Sequence, residues 1–322
     1  MKKGILIVFT VCFAFIAKAQ QEPQLTHFMF DKLSINPAVA GMGDGYCLTA
    51  INRKQWAGAE LGEPSTLLVN LNAPKIPLLR GGLGFSYIYD QLGYETNNLF
   101  RFSYSLHVNS FVQLPGELGI GFAATYFTKK INTQWRTPDG LLASSDPSIP
   151  VSRESESAMS FNSGIYYKQK EVSGELSGLY VGASVTNLTQ AELSTLKLSG
   201  ARHFYFMGGI NYGLPAINTK IRFNALVKSD GVKNQADFNL NALFLNKVWA
   251  GMTYRHNDAL APMAGIMLNT GAGDFKVGYG YGISTSFIGS YFSSGNHEIM
   301  LNYCFNITIP PIYTRSVHPY LL

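Results

Sequence analysis

Charge is scarce in this 322-residue sequence. Asp, Glu, Lys and Arg make up 14% of it, against about 25% in an ordinary soluble domain. Cysteine is scarcer, at three residues. Cys12 lies in an apolar leader, without the small residue that precedes a lipidated cysteine, and Cys47 with Cys304 cannot make a disulfide scaffold. Beyond the leader no apolar run approaches the roughly 18 residues of a helical span, which excludes helical membrane segments. Catalytic signatures are missing as well. His27, His107, His203, His256, His297 and His318 are scattered. His297-Glu298 opens like a zinc-protease helix, but position 301 is Leu. No Gly-x-Ser-x-Gly elbow occurs, and "GYGYGIS" (278–284) has a phosphate loop's glycines without a helix to follow. We therefore read the chain as non-enzymatic, with no cofactor and no metal site.

The leader itself is informative. Lys2 and Lys3 precede fourteen apolar or small residues (4–17), and Ala17-Lys18-Ala19 places small residues at −3 and −1 before Gln20. That is the layout of a secretory signal peptide cut after Ala19, too short for a spanning helix. The formal charge is +5, and losing Lys2, Lys3 and Lys18 with the leader leaves +2. The basic balance is thus partly the leader's, and no nucleic-acid partner is indicated.

What the chain does have is aromatic residues (13%), 32 glycines and a two-residue period. In "NLFRFSYSLHVN" (98–109), Phe100, Phe102, Tyr104, Leu106 and Val108 alternate with Arg101, Ser103, Ser105, His107 and Asn109. Ile221, Phe223, Ala225 and Val227 likewise alternate with Lys220, Arg222, Asn224 and Lys228. Phe275, Val277, Tyr279, Tyr281 and Ile283 oppose Asp274, Lys276, Gly278, Gly280 and Gly282. Alternation also fits a soluble β-sandwich with one wet face. Strands near the ~9–11 residues of a tilted span, aromatic outer faces and small or charged inner faces favour a membrane. The expected fold is all-β: a transmembrane antiparallel barrel of about fourteen strands, at 44–54, 64–73, 81–90, 97–109, 116–128, 157–168, 177–187, 202–212, 219–228, 235–245, 248–256, 260–269, 274–284 and 296–307. An even count lets first and last strands pair, which removes the open edges lipid does not tolerate.

Four segments follow: a signal peptide (1–19), an N-terminal periplasmic segment that could plug the barrel (20–43), the barrel (44–307) and a C-terminal periplasmic tail (308–322). Outer-membrane barrels keep short turns in the periplasm and long loops outside, so 129–156, 188–201 and 285–295 are expected outside. Lys220, Arg222, Lys228, Lys276, Arg101 and Arg255 face inward. They fit either a hydrated wall balanced by Asp237, Asp274, Glu117 and Glu298, or a site for an anion or acidic peptide. Cys47 and Cys304 fall on the inner face of strands that closure makes neighbours. A disulfide across the seam and two unrelated small residues both fit.

An ordered series of motifs runs from "HFMFDKLSINPAVAG" (27–41) through "RKQWAGAELGEPST" (53–66), "GLGFSYIYDQLG" (82–93) and "LYVGASVTNLT" (179–189). It continues in "ARHFYFMGG" (201–209), "WAGMTYRHNDALAPMAG" (249–265) and "SSGNHEIMLNYCF" (293–305). Taken in order, the series resembles the PorP/SprF family, outer-membrane barrels of the type IX secretion system in Bacteroidetes. The turn at 59–64 is one residue longer than the family's, and the chain continues past the last strand. The resemblance implies a non-enzymatic export component in outer-membrane lipid that anchors or displays a secreted, adhesin-type surface protein through its C-terminal domain. A link to gliding and to the machinery's periplasmic ring proteins is implied too. A diffusion channel or small-molecule transporter of the same shape is the alternative. The partner-binding candidates are Phe28, Met29, Phe30, Asn36, Pro37, Gln55, Trp56 and Pro64. Residues 24–41 are expected to fold back to the periplasmic mouth, with Phe28, Met29 and Phe30 tucked into the barrel and Asn36-Pro37 and Gly41 turning the chain into strand one.

Overall fold

Alternating side chains give each strand one face for hydrocarbon and one for the interior, and closure then pairs every backbone group. A computed structural model describes residues 23–57, 63–131, 154–190, 192–193, 198–285 and 295–306. The leader, the tail at 308–322, most of the turn at 58–62 and the centre of the long loop, 132–153, lie outside the described residues.

The barrel strands are Tyr46–Lys54 (β1), Ser65–Asn72 (β2), Gly81–Leu92 (β3), Glu95–His107 (β4), Glu117–Ile131 (β5), Glu154–Ser173 (β6) and Leu176–Thr186 (β7). After a two-residue ladder of Glu192–Leu193 (β8) with Leu198–Ser199 (β9), the wall continues. Its second half comprises His203–Leu214 (β10), Thr219–Ser229 (β11), Asn234–Phe244 (β12), Val248–Arg255 (β13), Ala259–Asn269 (β14), Gly273–Ser284 (β15) and Asn296–Phe305 (β16). Fourteen strands pair antiparallel in sequence order, and β1 closes on β16. Among the described residues no helix is long and apolar enough to cross a membrane.

The pleat matches the alternation in the sequence. Phe102 is 64% exposed to the outside and Phe223 44%, while Arg101 between Phe100 and Phe102 is fully buried. Cross-strand aromatic pairs line the outer face, Phe85 with Phe102 and Tyr87 with Phe100, each with ring centroids 4.9 Å apart. Such pairs are the usual unit of sheet stabilisation. At the seam Cys47 and Cys304 are register partners, their Cα atoms 4.1 Å apart, and their sulfurs are bonded.

Three departures from the sequence-based strands have simple causes. The β5–β6 hairpin is longer at its loop end, where Lys129 faces Glu156 and Lys130 faces Ser155. Both faces are polar there, so no alternation marks the strand. The β3–β4 connection is a tight turn rather than a six-residue loop, because Gly93 takes the left-handed conformation at φ 58°. In β14, Pro262 has no N–H to donate. Pairing with β15 is interrupted between Leu260–Ile283 and Met263–Gly280.

Candidate functional site: a lumen filled by the N-terminal segment

Residues 23–42 have too little regular structure to satisfy their own backbone, so their polar groups need partners elsewhere. The barrel wall supplies them. Near the end that carries the long connections, Glu298 of β16 accepts from the backbone N–H groups of Thr26 and His27, at 2.7 and 2.6 Å. Its Oε1 also lies 2.7 Å from His27 Nδ1. Thr253 Oγ1 and Arg255 Nη2 donate to the carbonyls of Thr26 and Leu25. Midway down, Asp31 accepts from Ser34 and from Asn70 Nδ2 (2.7 Å), and Arg101 donates to the Ser34 carbonyl.

Further down, Asn36 caps a short 3-10 turn at Pro37–Val39 by accepting from Ala38 N–H at 2.9 Å. Its amide also donates to Ile165 O and Ala183 O on β6 and β7. Ser184, Ser105 and His107 Nε2 reach the carbonyls of Ile35, Ala38 and Ala40, at 2.8, 3.0 and 3.0 Å. At the short-turn end Asn72 accepts from Gly41 N–H at 2.8 Å, and Lys168 donates to Met42 O. The segment therefore does not stop at the mouth. It runs the height of the lumen, from the long-connection end at Gln24 to the short-turn end at Met42.

Glycine makes room for it. A side chain at Gly121 would meet the backbone of Pro37 and Ala38, and one at Gly82 would meet Gly41. Apolar contacts add to these bonds. Phe28, Ile35, Ala38, Val39 and Met42 pack on Tyr166, Tyr180, Tyr205, Met207 and Leu226. Leu25, with Met29 and Phe30 against its cluster, packs on Ile51, Leu68, Leu243, Trp249 and Met300. His27 and Phe30 sit on Trp249, with centroids 5.6 and 5.7 Å away.

The sequence-based site residues separate into two groups. Phe28, Met29, Phe30, Asn36 and Pro37 belong to the lumen segment, and Phe28, Asn36 and Pro37 are buried by wall contacts. Gln55, Trp56 and Pro64 lie on the rim of the long-connection end, on the hairpin joining β1 and β2. There Gln55 N–H donates to Pro64 O at 2.9 Å and Trp56 N–H to Asn296 Oδ1 at 3.0 Å. The structure does not bring the two groups together. Sequence reading missed the wall side of the contact: Glu298, Arg255, Asn70, Ser105, Ser184 and Trp249. Glu298, Arg255 and Ser105 were read as inward positions, but nothing along the chain says what an inward side chain faces. Among the described residues, no cluster of three or more His, Cys, Asp or Glu is placed to hold a metal.

A closed barrel with aromatic outer faces and a lumen filled by its own N-terminal segment defines a plugged outer-membrane β-barrel. The chain belongs to the PorP/SprF family: residues 17–303 match the family described as type IX secretion system membrane protein PorP/SprF. No curated protein matches the sequence. Among solved structures, the Ralstonia pickettii toluene transporter TbuX is 10% identical, with 86% of this chain and 93% of that chain covered and a TM-score of 0.50. The monoaromatic hydrocarbon channel CymD is 12% identical, with 85% and 92% covered and a TM-score of 0.47. Outer membrane protein Omp33 of Acinetobacter baumannii is 11% identical, with 82% and 99% covered and a TM-score of 0.40. At such identities the likeness is one of fold. The protein is an outer-membrane barrel component of type IX secretion.

Proposed function

We propose that this barrel is a non-enzymatic anchoring component of the export machinery. It holds a secreted, adhesin-type surface protein through that protein's C-terminal domain and meets the periplasmic ring proteins at its short-turn end. The observation that carries this reading is the filled lumen. A segment bonded to the wall from Gln24 to Met42 obstructs the barrel's interior, so the surfaces best placed for work are the two ends of the barrel. The long-connection end, with Gln55, Trp56 and Pro64 on its rim, is where cargo would be held. Membership of a secretion family supports the same conclusion over a small-molecule transporter.

The test joins two measurements on the full-length protein. Planar-bilayer recording is expected to give little steady conductance, and affinity purification from cells is expected to retain a surface protein and ring components. A large steady conductance with no protein partner would establish the channel reading instead. Deleting residues 24–35 separates the segment's roles. If assembly and cargo display both persist, the segment is neither a folding element nor a partner surface.

A further inference from the structure

The lumen segment fills the barrel unevenly. Toward the short-turn end it leans on β3 to β7, where Gly41, Ala38 and Met42 meet Gly82, Gly121 and Gly119. Across the lumen from those contacts, Arg222 of β11 and Lys276 of β15 keep part of their side chains exposed. Four cations gather on this side. Lys32, from the lumen segment, lies with its Nζ 3.4 Å from the centre of the Tyr180 ring. Tyr180 is the register partner of Lys168 on β6, and its hydroxyl donates to Asn224, two residues from Arg222 on the same inner face of β11, so both cations are charged neighbours of Lys32. Arg222 is in turn a neighbour of Lys276 on β15, which also faces Asp274. All four side chains are only partly buried.

Their counter-charges are few. Lys168 has Glu117 at 3.4 Å. Among the described residues, no carboxylate comes within ion-pair distance of Lys32, Arg222 or Lys276. Asp44 is taken by Lys170 at 2.6 Å. The cations at the long-connection end are placed differently, since Arg255 is clamped by Asp237 and Asp258. Like charges in a low-dielectric recess focus a positive potential, and a wall that only needed hydration would gain nothing from concentrating them. A guest carboxylate would supply the partner that Lys32, Arg222 and Lys276 lack among the described residues.

We infer that the recess bounded by Lys32, Lys168, Arg222 and Lys276 is a docking site for a carboxylate-rich peptide segment of a partner protein that enters from the short-turn end. The inference rests on the export reading only for the partner being a protein of the machinery or its cargo.

The experiment uses the purified full-length barrel in nonionic detergent and a fluorescent hexaglutamate peptide, read by anisotropy at low salt. Saturable binding is expected, weakening at least about tenfold when the salt is raised enough to screen charges over a few ångströms. The double variant R222E/K276E should lose at least about tenfold in affinity, whereas K233E, an exposed lysine at the far end, should bind like wild type. Should the glutamate pair disturb assembly, R222Q/K276Q carries the same test with a smaller loss. Unchanged binding in the double variant, equal loss in K233E, or displacement of the peptide by an equal concentration of inorganic phosphate would overturn the inference. Failure here with cargo and ring proteins still co-purifying would sink the recess alone. Peptide binding without those partners would sink the export reading alone.

Discussion

The wall and the segment inside it solve the same problem by opposite means. In the wall, apart from breaks such as the one at Pro262, backbone N–H and C=O groups are satisfied by neighbouring strands, so side chains are free to obey a two-residue rule. In residues 23–42 the backbone is satisfied by side chains of the wall: Glu298, Thr253, Arg101, Ser184, Ser105, His107 and Asn72. The first arrangement writes itself into the sequence as a period. The second is distributed over many strands, each contributing one residue, and leaves no local pattern.

The largest expected effect tests the wall. F223R places a charge in lipid, at about 2–4 kcal/mol near the midplane, and should block assembly, read as heat-modifiable migration and membrane fractionation. Sequence alone makes N224R mild, because its neighbour faces inward. The structure revises that: Asn224 is buried and bonded to Tyr180 at 2.8 Å and to Asn239 at 3.1 Å. N224R is expected to reach the membrane yet melt lower. Equal failure of both variants to insert would contradict the assigned faces.

The next effect tests the segment. E298Q keeps the shape but loses the charge of the acceptor that holds Thr26 and His27, at roughly 1.5–3 kcal/mol for hydrogen bonds to a charged group. The segment should then detach at its upper end, and a cysteine placed at Thr26 should label faster, with the barrel intact. G121V drives a side chain into Pro37 and Ala38, with an overpacking cost of about 1–3 kcal/mol. It should expose the lower half of the segment to protease. Unchanged labelling and protection in both variants would mean that the segment is held by something other than these contacts.

The smallest effect is at the seam. Mass spectrometry after alkylation without reductant should find neither Cys47 nor Cys304 modified.

Much of the wall was legible because alternation is a local property. Phe100 to Val108, Ile221 to Val227 and Phe275 to Ile283 declare their faces without reference to any other strand. Fourteen strands and their closure followed from summing such segments. The ends of β5 and β6 were not legible, since Lys129, Lys130, Ser155 and Glu156 are polar on both faces and show no alternation, even though Lys129 is buried against Glu95. The site was legible only from one side. "FMFDKLSINPAVAG" looked too apolar for a linker and too short for a core, and Phe28 and Asn36 do lie inside the barrel. How far the segment climbs could not be read, because that depends on Glu298, more than 270 residues away.

By itself, then, the amino-acid order settled that this chain is a barrel, which face of each strand meets hydrocarbon and which family it resembles, because each of those is carried by spacing along a strand or by a run of neighbouring residues. Only the tertiary structure decided that the interior is occupied, that Glu298 and Asn72 hold the two ends of the occupant, and that Lys32, Lys168, Arg222 and Lys276 share one recess. Those relations exist only across the lumen, where residues distant in the chain face one another after closure.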